Sequence, residues 1–187
     1  MRPLRAFPLP INVGTDICQI SRIRRILEGP RAARFVDRIL GPHERAAAAS
    51  RLLPLRTGRL AGSPGAKGDR NSHVPPSVSA VLSGGSRDDE LWKTAAFIAG
   101  RFAAKEAAIK AHSHRRLTFH DIIIERRGRN EERLGSGPPV ARIKGEPGDD
   151  CDSSAMISIS HDGDYATAVC IGHDPSVTVE PAPRKQG

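Results

Sequence analysis

The sequence predicts an α+β domain in which an antiparallel sheet packs against one long helix. Helical spacing of apolar residues dominates the first half of the chain, and strand-like alternation dominates its last part. Helices followed by a hairpin-rich sheet are typical of the α+β class, and 187 residues suit one such domain. We place the domain at 11–172, between an N-terminal extension over 1–10 and a flexible tail over 173–187.

A strand and a helix are predicted at the start of this domain. INVGTDICQI (11–20) is predicted to be a short apolar strand that ends near Gly14–Asp16. SRIRRILEG follows with apolar residues at helical spacing, with Ser21 as its N-cap and Gly29–Pro30 as its stop.

Two further helices and a long insertion follow. RAARFVDRIL (31–40) is basic and amphipathic, and HERAAAASRLL (43–53) is closed by Pro54. Residues 54–88 are rich in Gly, Ser and Pro and lack periodicity, which predicts a disordered insertion within the domain. A basic recognition loop is the less favoured interpretation of this insertion.

The long helix, predicted from about Leu91 to His112, carries a carboxylate among its apolar residues. At 3.6 residues per turn, Glu106 falls between Phe102 and Ile109 on the face that holds the large apolar side chains. An unpaired buried charge is costly. This carboxylate must therefore be paired, protonated, at the wet edge of that face or bound to a cation.

The remaining elements are predicted strands. LTFHDIIIERR (117–127) and PPVARIKG (138–145) are strand candidates. AMISISH and DYATAVCI (155–171) alternate on either side of Asp162–Gly163, a dipeptide suited to a tight hairpin turn.

Composition and charge restrict the partners. The formal net charge of +8 and the pI near 10.1 favour an anionic partner, which includes nucleic acid, an acidic protein or a phosphorylated small molecule. Aromatic residues make up 4% of the chain, so platforms for base stacking are scarce and nucleic acid is disfavoured. No apolar run approaches the length of a membrane span, so no membrane partner is expected.

The cysteines and the N-terminal composition bear on the compartment. Cys18, Cys151 and Cys170 show no metal-ligand spacing, which favours a reducing interior. MRPLRAFPLP is basic and free of acidic residues, as organellar presequences are, although it is short and rich in Pro. A mitochondrial or cytoplasmic protein is expected, with mitochondria favoured.

Asp16 and Glu106 are candidate ligands of a cation. Asp16 either caps the helix that follows it or supplies one hard oxygen ligand, with Glu106 as the other. Mg²⁺ commonly takes one or two protein carboxylates and completes its shell with water and phosphate oxygens. Lys105 and Lys110 would then neutralise the phosphates. The alternative is that Glu106 and Lys110 form an ordinary i,i+4 surface pair.

His161–Asp162 could be mistaken for the metal-binding dyad of a phosphohydrolase. Such a dyad lies on a helix with further His and Asp ligands, whereas this one lies at a strand end and a turn. We therefore assign Asp162 to the turn and keep His161 as a candidate ligand-contacting residue.

Five segments in a fixed order resemble a known family. They are VGTDICQISRI (13–23), RFVDRIL (34–40), FIAGRFAAKEAAIKA (97–111), LTFHDI (117–122) and SISHDGDYATAVCI (158–171). Together they closely resemble holo-[acyl-carrier-protein] synthase, the small stand-alone type of 4′-phosphopantetheinyl transferase, in a fungal-like form with an insertion. The G-x-D element and the K-E-A-x-x-K helix are specific in this order, whereas a G-x-D alone means little.

The resemblance implies a reaction and an assembly. The reaction is the Mg²⁺-dependent transfer of phosphopantetheine from coenzyme A to a serine of acyl carrier protein, which releases adenosine 3′,5′-bisphosphate. Small members of this family are typically trimers with active sites between subunits.

The resemblance also implies roles for individual residues. Asp16 and Glu106 match the metal ligands, and Glu106 and Lys110 are the candidates for catalysis. The side chains expected at the coenzyme lie on the long helix and the hairpin: Arg101, Lys105, Lys110, Ser160 and His161. The basic side chains expected to face the acidic helix of the carrier protein are Arg22, Arg34 and Arg38.

The sequence departs from the family pattern in places and leaves alternatives open for the base and for the class of protein. HSHRR (112–116) stands where family members usually carry a Gly-Thr-Gly turn, and the insertion replaces a short basic connector that contacts the coenzyme. The base that takes the serine proton is either Glu106 or a metal-bound water. Two other classes remain as rivals: a basic nucleic-acid-binding module and a catalytically silent scaffold relative.

Overall fold

The computed structural model describes residues 9–60, 87–126 and 138–175 and has the predicted α+β architecture. The elements in chain order are β1 (Ile11–Gln19), α1 (Ile20–Glu28), α2 (Ala32–Ile39), α3 (Pro42–Ala47), α4 (Ala49–Leu60), α5 (Arg87–Ala111), a 3-10 turn (Phe119–Asp121), β2 (Ile122–Arg126), β3 (Pro139–Ile143), β4 (Ser153–Asp162) and β5 (Tyr165–His173). Each neighbouring strand pair is antiparallel, in the order β1-β5-β4-β3-β2.

The helix α5 lies across the inner face of this sheet, and small residues let it approach closely. A Cβ atom on Gly14 of β1 would lie 2.0 Å from the carbonyl oxygen of Ala107, so only glycine fits there. The buried side of α5 is built mainly from alanines, among them Ala99, Ala103 and Ala107. The core therefore sits between α5 and the inner face of the sheet.

The outer face of the sheet exposes apolar side chains. Val13 and Ile17 on β1 are 59% and 64% exposed, and Met156 on β4 is 66% exposed. The strand register joins Val13 to Ile171 and Ile171 to Met156, which makes one apolar row across three strands.

The first strand is longer than the sequence predicts. It runs through Asp16 to Gln19 because all nine of its residues pair with β5. Asp16 therefore lies within the strand and not at its end.

The start of α1 is capped by a residue from the distant hairpin and not by Ser21. The carboxylate of Asp164 accepts hydrogen bonds from the Ser21 backbone N–H and hydroxyl, each at 2.7 Å, and from Gln19 Nε2 at 2.8 Å. These bonds hold the pKa of Asp164 below its usual value, chiefly through the Ser21 hydroxyl. The hairpin thus fixes the position of the first turn of α1.

The predicted third helix is two helices, and Pro54 lies inside the second of them. Proline lacks the backbone N–H that would form a hydrogen bond within the helix. The buried Leu52 and the packing of Leu55 against the core stabilise α4 despite this loss. The predicted insertion over 54–88 is therefore wrong at its two ends, which are helical. Its central part, 61–86, lies outside the described residues.

Smaller differences concern the other boundaries. The long helix begins at Arg87, four residues before the predicted Leu91, and the segment 117–127 opens with a 3-10 turn before β2. Asp162 pairs with Tyr165, so the hairpin turn is Gly163–Asp164, and Gly163 has a positive φ of 51°.

The chain ends of the predicted domain are also partly described. The backbone N–H of Asp174 donates to the carbonyl of Pro10 at 2.8 Å, which ties the two ends of the domain together. The rest of the predicted extension (1–8) and tail (176–187) lies outside the described residues. Among the described helices, none has the length and apolar character needed to cross a membrane.

Candidate active site

Asp16 on β1 contacts Lys110 near the end of α5. The Lys110 ammonium donates to Asp16 Oδ1 at 2.8 Å and to the Thr15 carbonyl at 2.9 Å. The Asp16 side chain is 16% exposed, and its second oxygen, Oδ2, is buried without a hydrogen-bond partner among the described residues. A buried carboxylate oxygen without a donor is costly, so this atom suits a ligand.

Glu106 lies on the stretch of α5 that contacts β1 and α1. Gly14, two residues before Asp16 on the same side of β1, packs against the α5 backbone around Ala107 and Ala111. One helical turn before Glu106, the Phe102 ring lies 5.7 Å from the guanidinium of Arg22 on α1. In the chain Asp16 lies between Gly14 and Arg22, and Glu106 lies between Phe102 and Ala107.

Glu106 is half-buried and makes no hydrogen bond or ion pair within the described part of the chain. The alternative of a Glu106–Lys110 surface pair is wrong, because Lys110 pairs with Asp16 instead. We call Asp16, Glu106 and Lys110 the carboxylate half-site.

The donor set of the carboxylate half-site fits a hard divalent cation. Two carboxylates with free oxygens match the one or two that Mg²⁺ takes from proteins, with water and phosphate completing the shell. The described ranges contain no group of three or more His, Cys, Asp or Glu side chains placed for a metal ion. A closed, all-protein metal site is therefore not formed by these residues.

A basic cleft lies on the other side of α5. It is a cavity of about 820 Å³ bordered by α3, α4, α5 and strands β2 to β4. The Arg101 guanidinium lies 4.9 Å and the Arg51 guanidinium 5.1 Å from the Phe97 ring centre. Burial lowers the pKa of Arg101 from its usual value. We define the basic cleft by three arginines, one histidine and this ring, all of which line it: Arg51, Phe97, Arg101, Arg126 and His161.

The structure brings His161 into the basic cleft and keeps Ser160 out of it. The Nε2 atom of His161 donates to the carbonyl of Ala96 at 3.1 Å, and its ring packs against Gly100. Successive strand residues point to opposite faces, so Ser160 is exposed on the outer face of the sheet. Ser160 therefore cannot meet a ligand of this cleft in the same chain.

Lys105 has a structural environment that does not agree with the predicted phosphate contact. Its side chain is fully buried, and its ammonium donates to Glu44 Oε2 at 2.5 Å and to the carbonyls of Ile39 and Phe119. Glu44 in turn accepts from two backbone N–H groups, those of Gly41 and Ile124. All three donors of Lys105 are thus used.

The pKa of Lys105 reflects this environment. Burial lowers it, and the Glu44 carboxylate opposes that effect. Lys105 ties α5 to α2, α3 and the 3-10 turn before β2. Glu44 was missed from the sequence because its partner is 61 positions away.

The predicted carrier-facing arginines lie on or beside one groove. Arg34 and Arg38 line a cavity of about 750 Å³ between α1 and α2. Arg25 and Arg31 line it too and were missed, although they belong to the same basic helices. Arg22 lies one helical turn before Arg25, beside Phe102.

HSHRR (112–116) forms a packed end to α5 in place of a glycine turn. The His112 ring is buried against Gly172 of β5, and its Nδ1 donates to the Ala108 carbonyl at 2.8 Å. Burial lowers the pKa of His112. This histidine therefore closes the helix end as a neutral, packed side chain.

Comparison with solved structures assigns the fold. The holo-ACP-synthase of Plasmodium yoelii matches with a TM-score of 0.50 and 23% identity, over 86% of this chain and 91% of that one. The architecture is thus that of a holo-ACP synthase.

Comparison with curated proteins assigns the family, although no family model matches the chain. The mitochondrial 4′-phosphopantetheinyl transferase B of Aspergillus fumigatus is 32% identical over 88% of this chain and 95% of that protein. The holo-[acyl-carrier-protein] synthase of Geobacillus kaustophilus is 31% identical over 84% of each. The chain belongs to the holo-[acyl-carrier-protein] synthase family and is an enzyme of the phosphopantetheinyl transferase class.

Proposed function

We propose that this enzyme transfers 4′-phosphopantetheine from coenzyme A to a serine of an apo-acyl carrier protein in a Mg²⁺-dependent reaction. The products are holo-acyl carrier protein and adenosine 3′,5′-bisphosphate. The observation that carries the proposal is the carboxylate half-site, in which Asp16 has a buried oxygen without a partner and Glu106 is half-buried and unpaired among the described residues. Membership of the family supplies the substrates.

The basic cleft suits the nucleotide part of coenzyme A. Its volume of about 820 Å³ is in the usual range for a small-molecule site. Arg101 and Arg51 bring positive charge to phosphates, and Phe97 offers an aromatic face between them. His161 retains Nδ1 for a ligand, because Nε2 is engaged by Ala96.

The chain's own residues suggest how the transfer proceeds. The serine oxygen of the carrier attacks the phosphorus next to pantetheine, and the bond from that phosphorus to the bridging oxygen breaks. Negative charge then grows on the departing adenosine 3′,5′-bisphosphate, and the Lys110 ammonium is placed to stabilise it. A bound Mg²⁺ held by Asp16 and Glu106 would supply Lewis-acid neutralisation of the pyrophosphate. The half-buried carboxylate of Glu106 is the candidate within the chain for accepting the serine proton.

The arginine groove suits an acidic carrier protein. Arg25, Arg31, Arg34 and Arg38 surround the apolar side chains of Ile26 and Phe35. Arg22 continues this surface to Phe102, one turn from Glu106. A carrier docked on α1 and α2 would therefore present its serine beside the carboxylate half-site.

We propose that the active site is completed between copies of the chain in a homotrimer. Arg101 and Glu106 are five positions apart on α5, which places them about 140° apart around the helix. The body of α5 thus separates the basic cleft from the carboxylate half-site within one chain. The apolar row of the exposed Val13 and Met156 with the half-buried Ile171 between them offers a surface that a second copy can cover.

We further propose that the protein acts in mitochondria. The relative from Aspergillus fumigatus is described as mitochondrial, and the first ten residues are basic and free of acidic residues. A full-length fluorescent fusion should overlap with a mitochondrial marker. A diffuse cytoplasmic signal would contradict this location.

Intact-mass spectrometry of an apo-acyl carrier protein tests the reaction. Incubation with the enzyme, coenzyme A and Mg²⁺ should add one phosphopantetheine to the carrier serine and release adenosine 3′,5′-bisphosphate. A chelator should stop the reaction and added Mg²⁺ should restore it, whereas Asp16→Asn should stay inactive. A folded enzyme that adds no mass under any of these conditions would favour the silent scaffold.

A further inference from the structure

We propose that Lys110 couples the binding of coenzyme A to the binding of the divalent cation, because it holds Asp16 until a phosphate draws it away. This inference rests on the proposed function, in which Asp16 and Glu106 hold the cation. It concerns the order and strength of binding at that site.

Lys110 neutralises Asp16 through a direct ion pair. The ammonium lies 2.8 Å from Asp16 Oδ1 and is fixed a second time by the Thr15 carbonyl at 2.9 Å. A cation that binds Asp16 would stand next to this ammonium, and two like charges at such a distance repel each other. Lys110 and the cation therefore compete for one carboxylate.

Lys110 can move away from Asp16 without disturbing the packing of the core. Its side chain is 51% exposed, in contrast to the fully buried Lys105 of the same helix. An ion pair whose ammonium is half exposed is weaker than a fully buried one, and a lysine is a compact charge on a flexible stem. A dianionic pyrophosphate nearby can therefore replace Asp16 as the partner of Lys110.

The binding of coenzyme A and the binding of the cation are therefore linked through Lys110. If coenzyme A removes Lys110 from Asp16, it frees the carboxylate and raises the affinity for the cation. By reciprocity, the cation raises the affinity for coenzyme A by the same factor. The part of this coupling that runs through Lys110 disappears when Lys110 is replaced by a neutral side chain.

Mn²⁺ binding, measured by electron paramagnetic resonance with and without coenzyme A, tests this inference on the full chain. Mn²⁺ is a suitable probe because carboxylate sites accept it in place of Mg²⁺. Without coenzyme A, Lys110→Met should bind Mn²⁺ about fivefold more tightly than the wild type, which corresponds to the upper range of an exposed ion pair. The factor by which coenzyme A tightens Mn²⁺ binding should be about fivefold smaller in Lys110→Met, by the same linkage.

Two controls separate the role of Lys110 from net charge. Lys144→Met removes the charge of an exposed lysine on another element and should bind Mn²⁺ like the wild type. Lys110→Arg keeps a cation beside Asp16 and should also stay close to the wild type. Thermal melts show that each variant is folded.

The outcomes distinguish this inference from the proposed function. Equal or weaker Mn²⁺ binding by Lys110→Met, while Asp16→Asn abolishes binding, would overturn the coupling and leave the cation site intact. Absence of Mn²⁺ binding to the wild type with and without coenzyme A would overturn the cation site and the coupling together.

Discussion

At the scale of single residues, two lysines of one motif have opposite environments. Lys105 is fully buried among Glu44 and two carbonyls, whereas Lys110 is exposed beside Asp16. The first joins segments of the fold, and the second is available to a ligand.

Replacement of Lys105 tests this division of roles. Lys105→Met should lower the free energy of unfolding by about 3 kcal/mol or more, because it leaves the Glu44 charge buried without its partner. The KM for coenzyme A should stay unchanged in the folded enzyme. Urea denaturation and steady-state kinetics measure the two quantities.

Lys93→Met is the matched control for stability, since Lys93 is an exposed lysine of the same helix that pairs with Glu90. Its effect should stay below about 1 kcal/mol. A stable Lys105→Met enzyme with a raised KM for coenzyme A would show instead that Lys105 contacts the phosphates.

What the sequence could predict differs from residue to residue. The position of Glu106 among apolar neighbours indicates a carboxylate that needs an explanation, and in the structure it is half-buried and unpaired among the described residues. The burial of Lys105 was not predictable, because charged residues are exposed by default and its partner comes from a distant helix. Strand alternation could have excluded Ser160 from the site of His161, since adjacent residues face opposite sides.

At the scale of elements, the hairpin between β4 and β5 positions α1. Asp164 lies in the hairpin turn and accepts three hydrogen bonds from Gln19 and Ser21 at the start of α1. The helix that carries Arg22 and Arg25 is therefore anchored by a long-range cap. Local sequence patterns do not reveal such a cap, and they therefore predict Ser21 instead.

The cap predicts a pH-dependent effect of Asp164→Asn. The pKa of Asp164 is lowered in the folded state, so its contribution is present above the unfolded value near 3.9 and is lost as the pH falls through the folded value. The variant should be less stable than the wild type at pH 7, and the difference should shrink below pH of about 4. Urea midpoints across this range provide the measurement, and a constant difference would contradict the cap.

The groove between α1 and α2 predicts selective effects on the carrier protein. Arg34→Glu and Arg38→Glu should lower kcat/KM for the carrier by tenfold or more, on the order of 1.4 kcal/mol, while the KM for coenzyme A changes little. The loss should be largest at low salt, because these side chains are exposed. Kinetics with each substrate over a salt series check this, and equal effects on both substrates would refute a carrier surface.

At the scale of the whole molecule, the sheet and α5 divide the proposed site. The sheet order places Asp16 on the edge strand β1 and His161 on β4, with β5 between them. Periodicity in the sequence predicts the α+β class and the order of most elements. It does not predict that the sheet and α5 divide the proposed site. This division depends on how α5 crosses the sheet, which long-range packing at Gly14 and Gly100 determines.

The exposed outer face of the sheet should be covered in the proposed trimer. Ile17→Glu places a charge at a position that is 64% exposed in the single chain, so the fold should tolerate it. Subunit association should weaken, because an interface would bury that charge. Light scattering should show a smaller particle with reduced transfer activity, and a full-sized, fully active particle would contradict an interface at this face.

Complementation between two inactive variants tests the central claim that the two halves of the site meet between copies. Asp16→Asn disables the carboxylate half-site, and Arg101→Ala with His161→Ala disables the basic cleft. Co-expressed with two different tags and purified on both tags as mixed trimers, they should regain about a third of the wild-type transfer rate. This follows because each closed ring of three that contains both variants has one site in which both halves are intact. Mixed assemblies that stay as inactive as either variant alone would show that Asp16 and His161 act within one chain, and would contradict the account.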